Sequence, residues 1–144
     1  MSKLAEHSGK STTFLMVTAE DAKGRILTLR DDADFGGVPL PANITVRDLD
    51  VTALHQVVFE HLLGMSPASQ ERGENLRYEM DAGEVVSRTL EGEYQLGFLV
   101  NPTPMWQVQA VAEAGETMPI KSTFFYPKLP SGLVMRTVHE PLGW

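Results

Sequence analysis

Cysteine is absent from the 144-residue chain, and basic residues are scarce. Without cysteine there is no disulfide, no thiol nucleophile and no cysteine-ligated metal site. Lys and Arg number 12 against 19 Asp and Glu, which gives a formal net charge of −7. Because nucleic-acid binding depends on an excess of cations facing phosphates, the composition predicts no nucleic-acid partner.

Long apolar runs are also missing. No segment approaches the roughly 20 apolar residues that a membrane-spanning helix needs. The N-terminal sequence MSKLAEHSGKST lacks the apolar core of a signal peptide. We therefore expect a cytoplasmic protein with no membrane partner. A hydrophobic content of 42% is typical of a globular chain, so one domain is expected over residues 1–144.

Runs of β-prone residues predict a sheet of five to six strands. The first two, with Gly24 near the turn between them, read as a hairpin, and YQLGFLV is apolar enough for a central strand. A long segment without clear period, residues 31–49, follows the hairpin, and loops of this length often have a function. The six expected strands are 12–18, 25–30, 75–80, 94–100, 121–126 and 132–138.

Three main helices are expected from capping signals. The first begins at Asp50 and ends near Leu63, with one apolar stripe formed by Val51, Leu54, Val58 and Leu62. The second begins at Asp81, which forms a capping box with Glu84. The third has Thr103 as N-cap, Pro104 in the first turn and Gly115 after its end. Residues 66–73 predict a short capped turn. The order of predicted strands and helices along the chain favours an α/β or α+β domain with a mixed sheet.

Histidine and lysine motifs give weak signals for a site. The four histidines lack metal-ligand spacing, and His55 and His61 lie about 120° apart on one helix, so no metal is expected. His55 is either a half-buried histidine with one hydrogen bond or an acid/base group, since histidine titrates near neutrality. The Gly-Lys-Ser of HSGKST is not a P-loop, because Leu4 stands where the pattern requires glycine.

Two polar segments are candidates for anion binding. Asn101 and Thr103 follow an apolar strand where the next helix begins, and they either contact a ligand or cap the helix. If residues 121–126 form a strand, Lys121 and Thr123 share one face, and Ser122 and Tyr126 share the other. With Lys128 these groups either bind an anion or belong to an edge strand whose lysines prevent aggregation.

Three stretches together resemble an uncharacterised bacterial and archaeal family, the domain of unknown function 1015, often labelled SpoOJ/ParA/ParB/repB-like. They are LDVTALHQVVFEHLLG, LRYEMDAGEVV and FLVNPTPMWQVQAVAEAGETMPIKSTFFYPKLPSGLV. The NPTP and MPxKST motifs carry most of the similarity, although Ile120 stands where the family commonly has glutamine. The positions that the resemblance singles out are Asp50, His55, Tyr78, Asp81, Asn101, Thr103, Lys121, Ser122, Thr123, Tyr126 and Lys128.

The resemblance implies that this chain is the C-terminal domain of a longer protein whose N-terminal half is missing. We therefore expect a structural or interaction domain, inactive when isolated, that packs against that half or forms a homodimer. The alternative is a domain that binds a small anionic ligand, a nucleotide or phosphorylated metabolite, in an enzyme of phosphotransferase type. In that case His55, Asp81 and Lys121 are the catalytic candidates. No cofactor is expected. The aromatic residues expected as interface anchors are Trp106, Phe124, Phe125, Tyr126 and Trp144.

Overall fold

A computed structural model describes residues 2–21, 23–30, 32–33 and 37–123 of the chain. Three strands and six helices lie within these ranges. The strands are β1 (Thr13–Thr18), β2 (Gly24–Thr28) and β3 (Leu96–Val100). The helices are α1 (Ser2–Ala5), α2 (Ile44–Arg47), α3 (Asp50–Thr52, continued by a π-helix at Ala53–Leu62), α4 (Pro67–Arg72), α5 (Ala82–Leu90) and α6 (Met105–Glu113).

The sheet has the order β2-β1-β3, and both pairings are antiparallel. The predicted hairpin is confirmed, with Phe14 opposite Leu27. On the other side of β1, Phe14 lies opposite Val100. Among the described strands β1 is therefore the central one, and β3, which was predicted for the centre, is at an edge.

The predicted mixed sheet of five to six strands is wrong, and the described residues form an α+β arrangement around three antiparallel strands. Residues 75–80 are not a strand, and Asn75 has a φ of 57°, which interrupts extended backbone. Lys121 has a φ of 58° and lies in a turn, so residues 121–123 do not alternate between two faces as predicted. The other residues of the two predicted C-terminal strands lie outside the described ranges.

The three main helices expected from the sequence correspond to α3, α5 and α6. Their N-caps differ in two cases. Asp81 caps α5 as predicted, whereas Leu49 precedes α3 and Pro104 precedes α6, and neither offers a side-chain cap. Asp50 and Thr103 therefore do not have the capping role predicted for them, and their side chains bind elsewhere.

The π-helical part of α3 changes which residues face the core. Leu54 and Phe59 are buried, but Leu62, which the predicted stripe placed inside, is 67% exposed. A π-helix closes i→i+5 hydrogen bonds, so residues five apart replace the i, i+4 spacing of an α-helix. The stripe consequently gains Phe59, keeps Val58, which packs against the Phe14–Leu54–Phe59 cluster, and loses Leu62.

Two apolar clusters hold the elements together. Phe14, Leu54 and Phe59 form one cluster between the sheet and α3. The ring of Phe98 contacts Phe14 and Phe59 edge-on, with 6.2 and 5.6 Å between ring centroids, respectively. The second cluster joins α2, the start of α3 and α6. Its members are Val46, Leu49, Val51 and Val111, with Met118 packed against them.

Helix α5 packs on β1 and β3 at a point that only glycine fits. A Cβ on Gly97 would lie 2.6 Å from Thr89 Oγ1 and 3.0 Å from Val85 Cγ1. Since Thr89 is buried and its hydroxyl donates to the Val85 carbonyl at 2.7 Å, it has little room to move. The close approach of α5 to the sheet therefore depends on Gly97.

Replacing Gly97 with alanine should lower the free energy of unfolding by about 1–3 kcal/mol, because the added methyl overpacks this contact. Urea unfolding monitored by circular dichroism measures the change. A Thr89→Ala background removes Thr89 Oγ1, the atom nearest to the added methyl. In that background Gly97→Ala should lower the free energy of unfolding by less. An equal cost in both backgrounds would show that the Gly97–Thr89 contact does not limit the packing.

Candidate functional site

A cleft of about 500 Å³ opens between the turn after α1, the end of β2, the α2–α3 junction and the start of α6. A smaller pocket of about 60 Å³ shares Thr12, Leu29, Leu40, Arg47 and Asp48 with it and adds Ala53 and Val57. The cleft therefore has a polar mouth and an apolar recess. The residues that line it are Gly9, Lys10, Ser11, Thr12, Leu29, Arg30, Leu40, Arg47, Asp48, Asp50, Trp106 and Gln107.

Three of the described cationic side chains line the cleft, and each comes from a different segment. Lys10 lies in the turn before β1, Arg30 follows β2, and Arg47 ends α2. Arg30 and Arg47 form ion pairs with neighbouring aspartates at 3.4 and 3.6 Å, respectively. Both pairs are exposed, and such pairs contribute little free energy because water competes for the charges. Either guanidinium can thus exchange its aspartate for an anionic ligand.

Asp50 is the half-buried carboxyl group of the cleft. Its Oδ1 accepts a hydrogen bond from the Thr13 backbone N–H at 3.3 Å, which ties the start of α3 to the start of β1. Burial raises the pKa of Asp50 to about 6, and the Thr13 hydrogen bond opposes this rise only in part. Asp50 therefore takes up and releases a proton close to neutral pH, as a general acid or base requires.

A chain of hydroxyl groups fixes the strand beside Asp50. Thr13 is completely buried, and its hydroxyl donates to Thr28 Oγ1 at 3.4 Å. Because that hydrogen is used, Ser11 Oγ donates to Thr13 Oγ1, at 3.0 Å. Ser11 also lies 3.4 Å from His7 Nδ1. These contacts hold the Gly-Lys-Ser turn in place after α1. Since a helix precedes this turn and a strand follows it, its topology is the reverse of a P-loop.

His55 lies inside the protein and not in this cleft. Its Nδ1–H donates to Gln70 Oε1 at 2.6 Å, since Gln70 Nε2 donates to the Met65 carbonyl at 3.1 Å. Tyr78 stacks against the imidazole at 6.0 Å between centroids and 12° between planes. Burial lowers the pKa of His55, which keeps the ring neutral, and also raises the pKa of Tyr78. His55 thus has the hydrogen bond expected of a structural histidine, and it is buried instead of half-buried.

The two other catalytic candidates have different surroundings. Asp81 Oδ1 accepts hydrogen bonds from the backbone N–H groups of Gly83 and Glu84, at 2.6 and 3.2 Å, so its carboxylate caps α5. Lys121 is exposed in the turn after α6. Neither of them lines the cleft that holds Asp50. The structure thus does not place His55, Asp81 and Lys121 around one shared cavity.

The structure brings Thr103 and Ser122 together, but their side chains bind backbone carbonyls instead of facing a cavity. Thr103 Oγ1 donates to the Ser122 carbonyl at 3.2 Å, and Ser122 Oγ donates to the Pro119 carbonyl at 2.6 Å. Asn101 is buried, and its Nδ2 donates to the Leu4 carbonyl at 3.1 Å. Thr123 is exposed, and Tyr126 and Lys128 lie outside the described residues.

The reason for expecting a ligand at Asn101 and Thr103 does not apply to this sheet. Ligands collect at the carboxyl ends of strands in open parallel α/β sheets. Here β3 is antiparallel to β1, and the hydroxyl hydrogens of Thr103 and Ser122 already go to carbonyl groups. The segment that follows β3 therefore connects α1, α6 and the turn at 119–122.

Two kinds of feature are absent from the ranges that the structure describes. No cluster of three His, Asp or Glu side chains there is arranged to hold a metal ion. No helix in those ranges has the length and apolar character needed to span a membrane.

The sequence interpretation missed Lys10, Arg30 and Arg47 as site residues. Two signals pointed toward them without identifying them. Lys10 belongs to the Gly-Lys-Ser motif that fails as a P-loop, and Arg47 lies in the long segment 31–49 that suggested a function. Their convergence depends on the tertiary packing that brings the turn after α1, the end of β2 and α2 to one cleft, which no local pattern shows.

Replacing Asp50 with asparagine should stabilise the protein at neutral pH. The pKa of Asp50 is raised from 3.8 to about 6 in the folded state, so its contribution to stability is complete below about pH 4 and is lost as pH rises through 6. The shift corresponds to about 1–2 kcal/mol once it is reduced for the part of the group that water screens. The amide oxygen of the new side chain would still accept the Thr13 hydrogen bond. Asp50→Asn should therefore unfold at higher urea than the wild type at neutral pH and match it near pH 4.

The control for this prediction is Asp48→Asn, an exposed change in the same cleft. Its stability should follow that of the wild type across the same pH range. A wild-type stability that does not fall relative to Asp50→Asn between pH 4 and 6 would contradict the raised pKa.

Comparison with known proteins adds no template for this cleft. No family model, no curated protein and no solved structure matches the chain. The resemblance of its motifs to the domain of unknown function 1015 therefore stays a prediction, and the function has to be argued from the residues themselves.

Proposed function

We propose that this domain binds a small anionic ligand in the cleft lined by Lys10, Arg30 and Arg47. The observation that carries the proposal is the convergence of these three cations, from three separate segments, on one cleft of about 500 Å³. This volume lies within the range of small-molecule sites. In a chain with a net charge of −7, a local group of three cations is not expected from composition alone.

The electrostatics of the cleft support an anion that also carries a hydrogen-bond donor or acceptor. Lys10 forms no ion pair with any carboxylate in the described part of the chain, and the two arginines have only exposed aspartate partners. Charge-assisted hydrogen bonds from lysine and arginine are the usual means of holding phosphate or carboxylate groups. Asp50, with its pKa of about 6, is the group that would exchange a proton with a bound ligand.

The setting of this activity is part of the proposal. We take the chain to be the C-terminal domain of a longer cytoplasmic protein of the family that its motifs resemble, with the missing N-terminal half as its partner. The isolated domain would bind its ligand without turning it over. If the complete protein is an enzyme of phosphotransferase type, Asp50 is a better acid/base candidate than His55 or Asp81, because it lines the cleft.

Isothermal titration calorimetry with inorganic pyrophosphate tests the proposal. Lys10→Ala and Arg47→Ala should each weaken binding about tenfold or more, since each removes a charge-assisted hydrogen bond. Lys23→Ala, an exposed lysine between β1 and β2 that does not line the cleft, is the matched control and should bind as the wild type. Absence of pyrophosphate binding, or an equal loss in all three variants, would overturn the proposal.

A homodimer or a complex with the missing half is the second candidate function. Four large apolar side chains are exposed on α2, on α6 and in the segment after α6: Ile44 at 59%, Met105 at 64%, Trp106 at 59% and Ile120 at 49%. α2 and α6 pack against each other through Val46 and Val111, so these exposed residues lie on, or directly after, two neighbouring helices. Apolar and aromatic groups of this kind form the centres of protein interfaces.

Light scattering over a range of protein concentrations tests the dimer. We expect a dimer that Met105→Glu converts to a monomer, because the new carboxylate would lose its water in the interface. Glu113→Gln, at the other end of α6, is the control and should leave the dimer intact. A monomer at every concentration would rule out the homodimer and leave the missing half as the partner to be tested.

A further inference from the structure

Trp106 is the one aromatic residue among the described residues that line the cleft. It lies in the first turn of α6, and 59% of it is exposed. One edge of its indole packs beside the backbone of Gly9. A Cβ on Gly9 would lie 3.7 Å from Trp106 Cζ2 and 4.0 Å from Nε1. The ring is thus in contact with the turn that carries Lys10.

The Gly9 turn brings the segment that carries Lys10 beside this ring. Gly9 has a φ of +69°, a left-handed conformation that glycine adopts without strain. Lys10 follows directly, and its backbone N–H donates to the His7 carbonyl at 3.0 Å. The indole, on α6, and the Lys10 side chain, on the Gly9 turn, therefore belong to two segments that touch at the cleft wall.

An exposed indole beside cations has a specific use. Tryptophan usually buries most of its area, so leaving over half of it in water costs hydrophobic free energy that a ligand can recover. An aromatic base stacks on such a ring with about 1–3 kcal/mol per base. Gln107 also lines the cleft and offers both a donor and an acceptor, which suits the polar edge of a base.

Resting on the proposed function, we infer that the anionic ligand is a nucleotide. Its base would stack on Trp106, and its phosphates would bind Lys10, Arg30 and Arg47. A bare phosphate or a phosphorylated sugar would use the cations and leave the indole in water. A cleft of about 500 Å³ accommodates a nucleotide. Trp106 as a protein-interface anchor is the competing role, and the experiment separates the two.

Calorimetric titration of the full chain with ATP and with inorganic tripolyphosphate, both without divalent metal, tests the inference. The two probes share the triphosphate and differ in the nucleoside. We expect ATP to bind at least about tenfold more tightly, from the stacking free energy. Trp106→Ala should remove this advantage and leave tripolyphosphate binding within about twofold, whereas Trp106→Phe, which keeps an aromatic surface, should retain most of it.

The outcomes distinguish the nucleotide inference from the anion-binding proposal on which it rests. Equal affinities for the two probes, or an equal loss of both in Trp106→Ala, would overturn the nucleotide and leave anion binding intact. If neither ATP nor tripolyphosphate binds, both the nucleotide inference and the anion-binding proposal are overturned. If Trp106→Ala does not fold, as judged by circular dichroism, the wild-type ratio of ATP to tripolyphosphate affinity decides alone, and a ratio near one overturns the inference.

Discussion

The hydrogen bond from the Thr13 N–H to Asp50 Oδ1 joins the start of the central strand to the start of α3. Thr13 begins the central strand and is completely buried, and Asp50 begins the helix that covers the sheet. One apolar cluster lies between the sheet and α3, and the other lies among α2, the start of α3 and α6. This bond ties the start of α3 to the start of β1, and its acceptor, Asp50, also lines the cleft. The same carboxyl group, whose pKa burial raises to about 6, is then available to exchange a proton with a ligand.

Local signals in the sequence identified the helices and the hairpin whose ends are set by residues close by in the sequence, such as capping residues. Ser66 caps α4 and Gly73 ends it, Asp81 caps α5, and the β1–β2 hairpin has the expected strands. The sheet was overestimated because β-prone composition at 75–80 and 121–123 does not decide pairing. A positive φ, 57° at Asn75 and 58° at Lys121, removes the extended backbone there. Helix α2, capped by Asn43, was missed because its four residues are too few for a hydrophobic period.

The candidate site was harder to predict, because its residues converge through tertiary packing. The motif residues Asn101, Thr103 and Ser122 attract attention in the sequence, but their polar groups bind backbone carbonyls of α1 and of the turn after α6. A polar side chain in a conspicuous motif can thus be fully used by the fold. Lys10, Arg30 and Arg47 are each ordinary in sequence, and they form a group only because the fold brings their three segments to one cleft. The sequence singled out Asp50 as a helix cap and, by resemblance, as a family position, and its burial supplies the physical reason for its unusual pKa.

We propose that ligands enter the cleft lined by Lys10, Arg30 and Arg47 and do not bind at the segment after β3. The most direct test is a map of backbone amide chemical shifts during titration of the ¹⁵N-labelled chain with pyrophosphate. We expect the largest shifts at Lys10, Ser11, Arg47 and Asp50, with little change from 101 to 123 apart from the Trp106–Gln107 turn. Shifts concentrated at Asn101, Thr103 and Lys121 instead, with Lys10 and Arg47 unmoved, would contradict it.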